Sequence, residues 1–305
     1  MALYLLKRIG EFLPTLFVIV TMTFFLVRLA PGGPFDSDRR VSPEVQAQLE
    51  AHYHMDRPLL RQYTEYLTGL VRLDFGPSFR KPSRTVRQWL FLRLPVSIEL
   101  GIYGLFFAIV LGAAAGIIAS LRHNQWVDHA SMSIAMLGIC VPAFVLGPLL
   151  VLVFGLWTDW LPVMGWTTAA HKILPSITLG AAYAAYIARM TRGGMLESLN
   201  QDFIRTARAK GLREYQVVLR HALRAGIQPV VAFLGPAAAG LLTGSFVVET
   251  IFHVPGLGRE FVESAFNRDY TMISGTVLVY AVLVMGLNLL SDLALAWIDP
   301  RIRSL

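Results

Sequence analysis

Charge is scarce in this sequence. Asp, Glu, Lys and Arg make up 15% of its 305 residues, where a soluble domain carries about 25%. So little polarity cannot cover a surface exposed to water, which excludes an ordinary soluble fold and turns much of the exterior toward lipid. The single cysteine, Cys140, excludes an internal disulfide and leaves the redox compartment open. No Gly-Lys dipeptide occurs, so there is no phosphate-cradling G-x-x-x-x-G-K-[ST] loop and no ATP site of that type. The patterns H-E-x-x-H and G-x-S-x-G are missing too, and the seven histidines show no ligand spacing. Neither a catalytic constellation nor a metal site is expected, and the chain does not read as an enzyme.

What is present is apolar sequence, 55% of the residues. It gathers into six uncharged blocks at 12–27, 100–121, 130–158, 173–188, 227–248 and 271–291. About 20 residues of helix cross a hydrocarbon core, with about 17–25 tolerated. Four blocks meet that length, and the first and fourth reach it if Arg28 and Arg189 snorkel to the interface. The expectation is an all-α membrane protein with six transmembrane helices. Lys7 and Arg8 precede the first block, as in a signal peptide. That segment ends Val27-Arg-Leu-Ala-Pro-Gly-Gly33, however, with a charge and a proline where a small-residue cleavage site would stand, so an uncleaved helix is expected.

The formal net charge is +7, but most of the excess flanks apolar blocks, where Lys and Arg set membrane orientation. No nucleic-acid partner is expected. Lys7, Arg8, Arg122, the basic residues between 189 and 224, Arg301 and Arg303 fall on one side. The short loops opposite carry only Lys172, Arg259 and Arg268. The positive-inside rule therefore places both termini and the loop 189–226 in the cytosol. Three parts are expected: an N-terminal segment with the first helix (1–30), an external, periplasmic helical segment (31–98), and a core of five transmembrane helices (99–305). In the external segment Ser42-Pro43-Glu44 reads as a helix start, and Leu59, Tyr63, Tyr66, Leu67 and Leu70 recur at helical spacing.

The cytosolic loop is long and contains Gln201-Asp-Phe-Ile-Arg-Thr-Ala-Arg-Ala-Lys-Gly211, followed by Leu-Arg-Glu-Tyr-Gln-Val-Val-Leu-Arg-His-Ala-Leu-Arg224. A helix is expected to Lys210, closed by Gly211 in the left-handed conformation that glycine tolerates. A second helix follows, with Tyr215, Val218, Leu219 and Leu223 on an apolar face and Arg213, Arg220 and Arg224 on another. Two short helices meeting at a glycine make a knob that a partner's cleft can hold and move as a rigid body. The same pattern also fits an interfacial helix pair whose arginines only satisfy topology.

The stretch Arg205-Thr-Ala-Arg-Ala-Lys-Gly211 resembles the cytosolic loop shared by permease subunits of bacterial ABC importers. It keeps Ala207 and Gly211 of that pattern. Arg205 stands at its acidic position, Thr206 at its first alanine, and His221 and Arg224 at its apolar and proline positions, departures similar to those of the peptide-transporting branch. The resemblance runs the length of the chain through Pro14-Thr-Leu16, Arg28-Leu-Ala-Pro-Gly32, Asp74-Phe-Gly-Pro-Ser-Phe79 and Glu249-Thr-Ile-Phe252. It continues through Pro255-Gly-Leu-Gly258, Asn267-Arg-Asp-Tyr270 and Asp299-Pro-Arg-Ile-Arg303. The chain is most similar to the first of the two permease subunits of oligopeptide importers, with the dipeptide branch next.

The resemblance implies a type I ABC importer permease in the bacterial inner membrane. Its partners would be a homologous second permease subunit, two cytosolic ATPase subunits that hold ATP and Mg, and a periplasmic or surface peptide-binding protein. No cofactor is implied for this chain. ATPase coupling would fall on Arg205, Thr206, Ala207, Arg208, Lys210, Gly211, Leu212, Tyr215 and Gln216. The loop bearing Pro255, Gly256, Gly258, Arg268 and Asp269 would face the binding protein, although a solvated, partly re-entrant turn fits it equally.

Other features have structural readings. Gly112 with Gly116, and Gly240 with Gly244, put small residues one turn apart, which suits close helix packing or a sliding seam. Glu99, Glu249 and Asp292 lie at block ends and are expected in structural roles rather than in proton transfer. Pro142 interrupts the third block and Pro175 the fourth, which suits either a shaped pathway or a fixed kink. An ion-coupled carrier using Asp292 or Glu249 fits the blocks but not the loop, and no inverted repeat is evident.

Overall fold

The computed structural model describes residues 2–35, 43–243 and 246–298. Expectations on Ser42, Gly244, the side chain of Asp292 and residues 299–303 fall outside this set. Among the described residues all regular structure is helical, apart from one isolated bridge between Pro77 and Thr85. Along the chain run α1 (Ala2–Leu29), α2 (Pro43–His52), α3 (Leu59–Val71), α4 (Val86–Leu121), α5 (Trp126–Cys140) and α6 (Ala143–Trp157). They are followed by α7 (Ala169–Leu199), α8 (Asp202–Ala209), α9 (Glu214–Gly226), α10 (Gln228–Leu242), α11 (Phe246–Ile251), α12 (Leu257–Phe266) and α13 (Tyr270–Ile298).

The chain divides into two compact units, residues 1–97 with 255–286 and residues 98–254 with 287–305. The break near 97 falls inside α4. Residues 255–286, grouped by the sequence with the core, instead pack with the N-terminal part.

In the first unit, α3 lays its aromatic face on α1. The Phe24 ring lies 5.2 Å from that of Tyr63 and 5.3 Å from that of Tyr66, and the Thr21 and Tyr63 hydroxyls share a hydrogen bond of 2.6 Å. Arg28 does not snorkel outward as expected. Its guanidinium stacks 3.7 Å from the Phe24 centroid, and its Nε donates to Gln62. The helix holding the second apolar block starts at Val86, well before residue 99. Thr85 and Gln88 fix that start by exchanging backbone-to-side-chain bonds (3.1 and 3.3 Å), a capping box. Arg87 and Arg93 hide the extension from a reading by apolar runs. At 36 residues α4 is about 54 Å long, well beyond the ~30 Å of a hydrocarbon core. Val86, Leu90, Leu257 and Met272 form the core that joins the start of α4 to α12 and α13.

In the second unit α7 is the helix on which the others pack. A Cβ built on Gly112 or Gly116 of α4 would stand 2.5 Å from the carbonyl oxygen of Ala184 or Ala188 on α7. One on Gly138 of α5 would overlap the Ala181 carbonyl, and one on Gly194 the carbonyl of Gly226 in α9. These backbones touch because the side chains are missing, which is how membrane helices gain packing contact. The Gly112/Gly116 pair thus lies where the backbones of α4 and α7 approach closely. Because α7 is surrounded by protein, it tolerates buried Ser176, Thr178, Thr191 and Ser198.

Among the described residues three helices are long and apolar enough to cross a membrane: Gly10–Leu29 of α1, α4, and Tyr270–Ser291 of α13. Two further pairs meet that standard only together, α5 with α6 bent by 114° and α9 with α10 bent by 56°. The block 130–158 is therefore not one helix. Pro142 lacks an N–H and holds Val141 extended (φ −98°, ψ 115°), which ends α5 outright rather than kinking it. In the block 227–248, α10 stops at Leu242 with Thr243 in a turn, and α11 spans Phe246–Ile251. Pro175, by contrast, lies buried inside an unbroken α7.

Candidate functional site

The loop expected to meet a partner is built on the end of α7. Helix α8 is short and starts behind Gln201 in extended conformation. Gly211 follows with φ +76°, the left-handed corner that the sequence requires, and no atom lies within 4 Å of a Cβ built there. Across the corner Arg208 clasps Glu214 with two bonds (Nη2–Oε1 2.7 Å, Nε–Oε2 3.2 Å), and this hydrogen-bonded pair raises the Arg208 pKa above its usual value. Gln216 Oε1 accepts from the backbone N–H of Arg213 (3.2 Å), tightening the first turn of α9.

The knob has its own core of Met195, Ile204, Ala207, Val217, Val218 and Ala222, with Ile117, Leu199 and Leu223 at its edge. Ser198 Oγ donates to the Ala222 carbonyl (2.9 Å), tying α7 to α9. The middle of α9, Val217–Ala222, is a π-helix. Its i→i+5 spacing brings Val217 and Ala222 onto one face. The apolar face expected from ordinary helical spacing is half right: Val218 is buried and Leu223 packs at the core's edge, but Tyr215 and Leu219 are each 57% exposed, and Val217 and Ala222 are buried instead.

Of the nine expected coupling residues, Arg205, Thr206, Arg208, Lys210, Gly211, Leu212 and Tyr215 are exposed and Gln216 is half-buried. Ala207 is buried in the knob's core, so it supports the surface without belonging to it. Phe203 and Leu219 are exposed beside these residues; nothing in the sequence assigns Phe203 a role, and helical spacing places Leu219 on the apolar face. The outer face thus mixes cations with bare apolar side chains, a composition suited to a protein cleft.

Not every arginine of this loop is free for that purpose. Arg192 donates through Nε and Nη2 to the two oxygens of Asp128 (2.7 Å each), and Asp128 also accepts from the Asn124 N–H (2.9 Å). Asp128 is 1% exposed. This pair, which clamps the start of α5 to α7, escaped the sequence because nothing local links residues 64 positions apart. By contrast Arg208 and Glu214 are both exposed. Glu214→Gln should cost no more than about 1 kcal/mol in a urea titration.

The loop assigned to a binding protein is mostly interior. Gly256, Gly258 and Asp269 are buried, while Pro255 and Arg268 are half-buried. Asp269 accepts from Ser78 Oγ, the Phe79 N–H (3.3 Å) and the Met272 N–H (3.2 Å), so it caps α13 and anchors the segment 78–80. The exposed part of this stretch is instead Ala265, Phe266 and Asn267. Glu99 receives Trp166 Nε1 (2.8 Å) and Lys172 Nζ (2.5 Å), and Glu249 is fully buried in α11. The pairing of Glu99 agrees with a structural role. Among the described residues no group of three His, Cys, Asp or Glu is placed to hold a metal.

Residues 108–304 match the family described as binding-protein-dependent transport system inner membrane component. Over its full length the chain is similar to the oligopeptide transport system permease protein OppB of Haemophilus influenzae, with 47% identity over 98% of this chain and 99% of that one. It is 45% identical to OppB of Escherichia coli K12 over the same shares. The dipeptide transport system permease protein DppB of Bacillus subtilis is also 45% identical, over 99% of this chain and 98% of that one. Among solved structures, an amino acid ABC transporter chain superposes with a TM-score of 0.52 at 16% identity, covering 68% of this chain and 92% of that chain, which shows the fold. The chain belongs to the family of inner membrane components of binding-protein-dependent transport systems.

Proposed function

We propose that this permease forms half of a translocation pathway for oligopeptides and takes its drive from a separate ATPase seated on the knob 201–225. In this reading the chain crosses the bacterial inner membrane six times with both termini in the cytosol. The crossings are α1, α4, the bent pair α5–α6, α7, the α9–α10 pair continued by α11, and α13. A homologous permease supplies the other half, two ATPases bind ATP and Mg, and an external peptide-binding protein delivers cargo.

The observation that carries the reading is the seating of the knob. Its exposed face of Arg205, Arg208, Lys210, Leu212 and Tyr215 is rigidly attached to α7, and α7 is the helix against which α4, α5 and α10 pack. A push on the knob therefore acts on the helix that organises the second unit, and alternating access follows if that push has two stable outcomes. The motor must lie elsewhere, since the chain has no phosphate loop.

The test is reconstitution of the chain with its co-purifying partners in liposomes and measurement of labelled-peptide uptake. Uptake is expected to require both ATP and the external binding protein. Uptake that follows a proton gradient without ATP, or peptide cleavage without transport, would sink the reading. Because the dipeptide-permease relative stands within a few per cent identity of the oligopeptide ones, dipeptide is the second reading. Competition by an unlabelled dipeptide against an unlabelled pentapeptide decides between them.

A further inference from the structure

The first unit holds a cavity of about 420 Å³, bounded by Arg28, Tyr53, Gln62, Tyr66, Asp74 and Phe79 among others. Its size lies within the range of small-ligand pockets. Its walls come from three separate segments of the chain: the end of α1, residues 52–79, and Thr271 at the start of α13.

Arg28 is the cation in this wall whose bonding is incomplete. A guanidinium carries five N–H donors and is always charged. Its Nε–H goes to Gln62 Oε1 (3.1 Å), and its plane rests on the Phe24 ring. Gln62 is itself pinned, donating to the carbonyls of Met55 (3.0 Å) and Arg57 (2.8 Å). The four N–H groups on the two Nη atoms have no acceptor among the described residues, and Arg28 makes no ion pair among them. The two Nη atoms are not sealed from solvent, so an incoming anion can reach them. Glu65 also lines the cavity but is committed to Arg57 (2.6 Å) and Arg61 (3.3 Å). Asp74 spends Oδ1 on the Gly76 N–H (3.0 Å) and keeps Oδ2 open. The Tyr66 hydroxyl is buried without a hydrogen bond of good geometry, with Ser274 the polar group beside it. Tyr53 and Phe79, 4.7 Å apart at their centroids, form an apolar wall.

We propose that this cavity binds a short peptide by its free C-terminus, the α-carboxylate lying across the two Nη atoms of Arg28. A planar fork with both Nη groups free matches a carboxylate in bidentate fashion. The open Oδ2 of Asp74 suits the peptide's ammonium end, and the aromatic wall takes a side chain. An anionic lipid phosphate fits less well, because Asp74 and Glu65 share the cavity and repel it. The cavity carries both signs of charge, as a zwitterion requires. The inference rests on the peptide-import reading and adds a cargo contact in the permease itself, outside the external binding protein.

The test is equilibrium dialysis of labelled trialanine against the purified complex, without the external binding protein. Saturable binding is expected, weakened about tenfold or more when the C-terminus is amidated or in Arg28→Gln. Arg28→Lys should fall between, since it keeps the charge and loses the fork. Should Arg28→Gln fail to assemble, Asp74→Asn remains informative: it should erase the preference for trialanine over its N-acetyl derivative. Equal binding by the acid and the amide, unchanged binding in Arg28→Gln, or displacement of trialanine by phosphatidylglycerol vesicles would each overturn the proposal. ATP-driven uptake measured in parallel separates the two readings. Normal uptake with Arg28-independent trialanine binding removes the cavity site and leaves the import reading. Arg28-dependent binding in a complex that never moves peptide with ATP supports the site and removes the import reading.

Discussion

Replacing Gly211 by valine should leave ATP hydrolysis running in the reconstituted complex while peptide uptake falls at least about tenfold. The reason lies in the backbone. Gly211 sits at φ +76°, where an L-residue pays roughly 1–2 kcal/mol and a β-branched one is a genuine outlier. Open space surrounds the position, so the penalty is conformational and not a clash. The corner relieves it by moving, and what moves is the angle between α8 and α9 that sets the knob's exposed face, which the proposed reading gives to the ATPase. Arg208 and Glu214, joined across the corner, would part as it opens. Gly211→Asn serves as the control, because asparagine tolerates the left-handed region and should keep most of the uptake. Uptake and ATPase rates measured on the same liposomes decide the matter. If valine leaves both unchanged, the corner's geometry is not part of coupling.

Asp128→Ala should have the largest effect on assembly. It leaves the Arg192 guanidinium without the two 2.7 Å bonds it now makes, and breaking one half of a buried pair costs about 3–5 kcal/mol. Arg192 keeps 27% of its side chain exposed, so about 3 kcal/mol is the better figure. That is a large part of the 5–15 kcal/mol that holds a domain folded. The expected result is a clear drop in the amount of complex recovered from membranes and in its melting temperature. Asp128→Leu combined with Arg192→Met should restore most of the loss, since an apolar pair leaves no orphan charge. A double variant no better than the single one would show that the pair matters for its charge in place, and not only for the cost of leaving one charge alone.

Much of this was open to a reader of the sequence. The low charge content and the apolar blocks are matters of composition and local order, and they led to a multi-spanning membrane protein. The missing phosphate loop excluded an ATP site of that type, and the permease reading came from the motif resemblance. Gly211 was legible because a glycine after a run of helix formers has a single-residue reason to be there. The register of the following helix was not legible. A π-helical segment shifts the buried face by a residue, and nothing in the apolar spacing of Tyr215, Val218 and Leu219 announces it. Pro142 was visible as a breaker, but the size of the bend, 114°, depends on what α5 and α6 pack against.

The loop 255–270 shows the limit most clearly. Its glycines and Asp269 look like the furniture of an exposed turn, since such residues are common there. In the fold they are buried, because Asp269 caps α13 and receives Ser78 and the backbone of Phe79. By itself the sequence determined the lipid-facing composition, the apolar stretches, the glycine corner and the absence of an ATP loop, all of which depend on residues close together in the chain. Only the tertiary structure decided that Asp128 pairs with Arg192, that Ala207 supports the knob from inside, and that Arg28 keeps two free Nη groups beside a cavity. Those outcomes hinge on which partners distant in sequence arrive to satisfy a charge or fill a space, and local pattern carries no record of them.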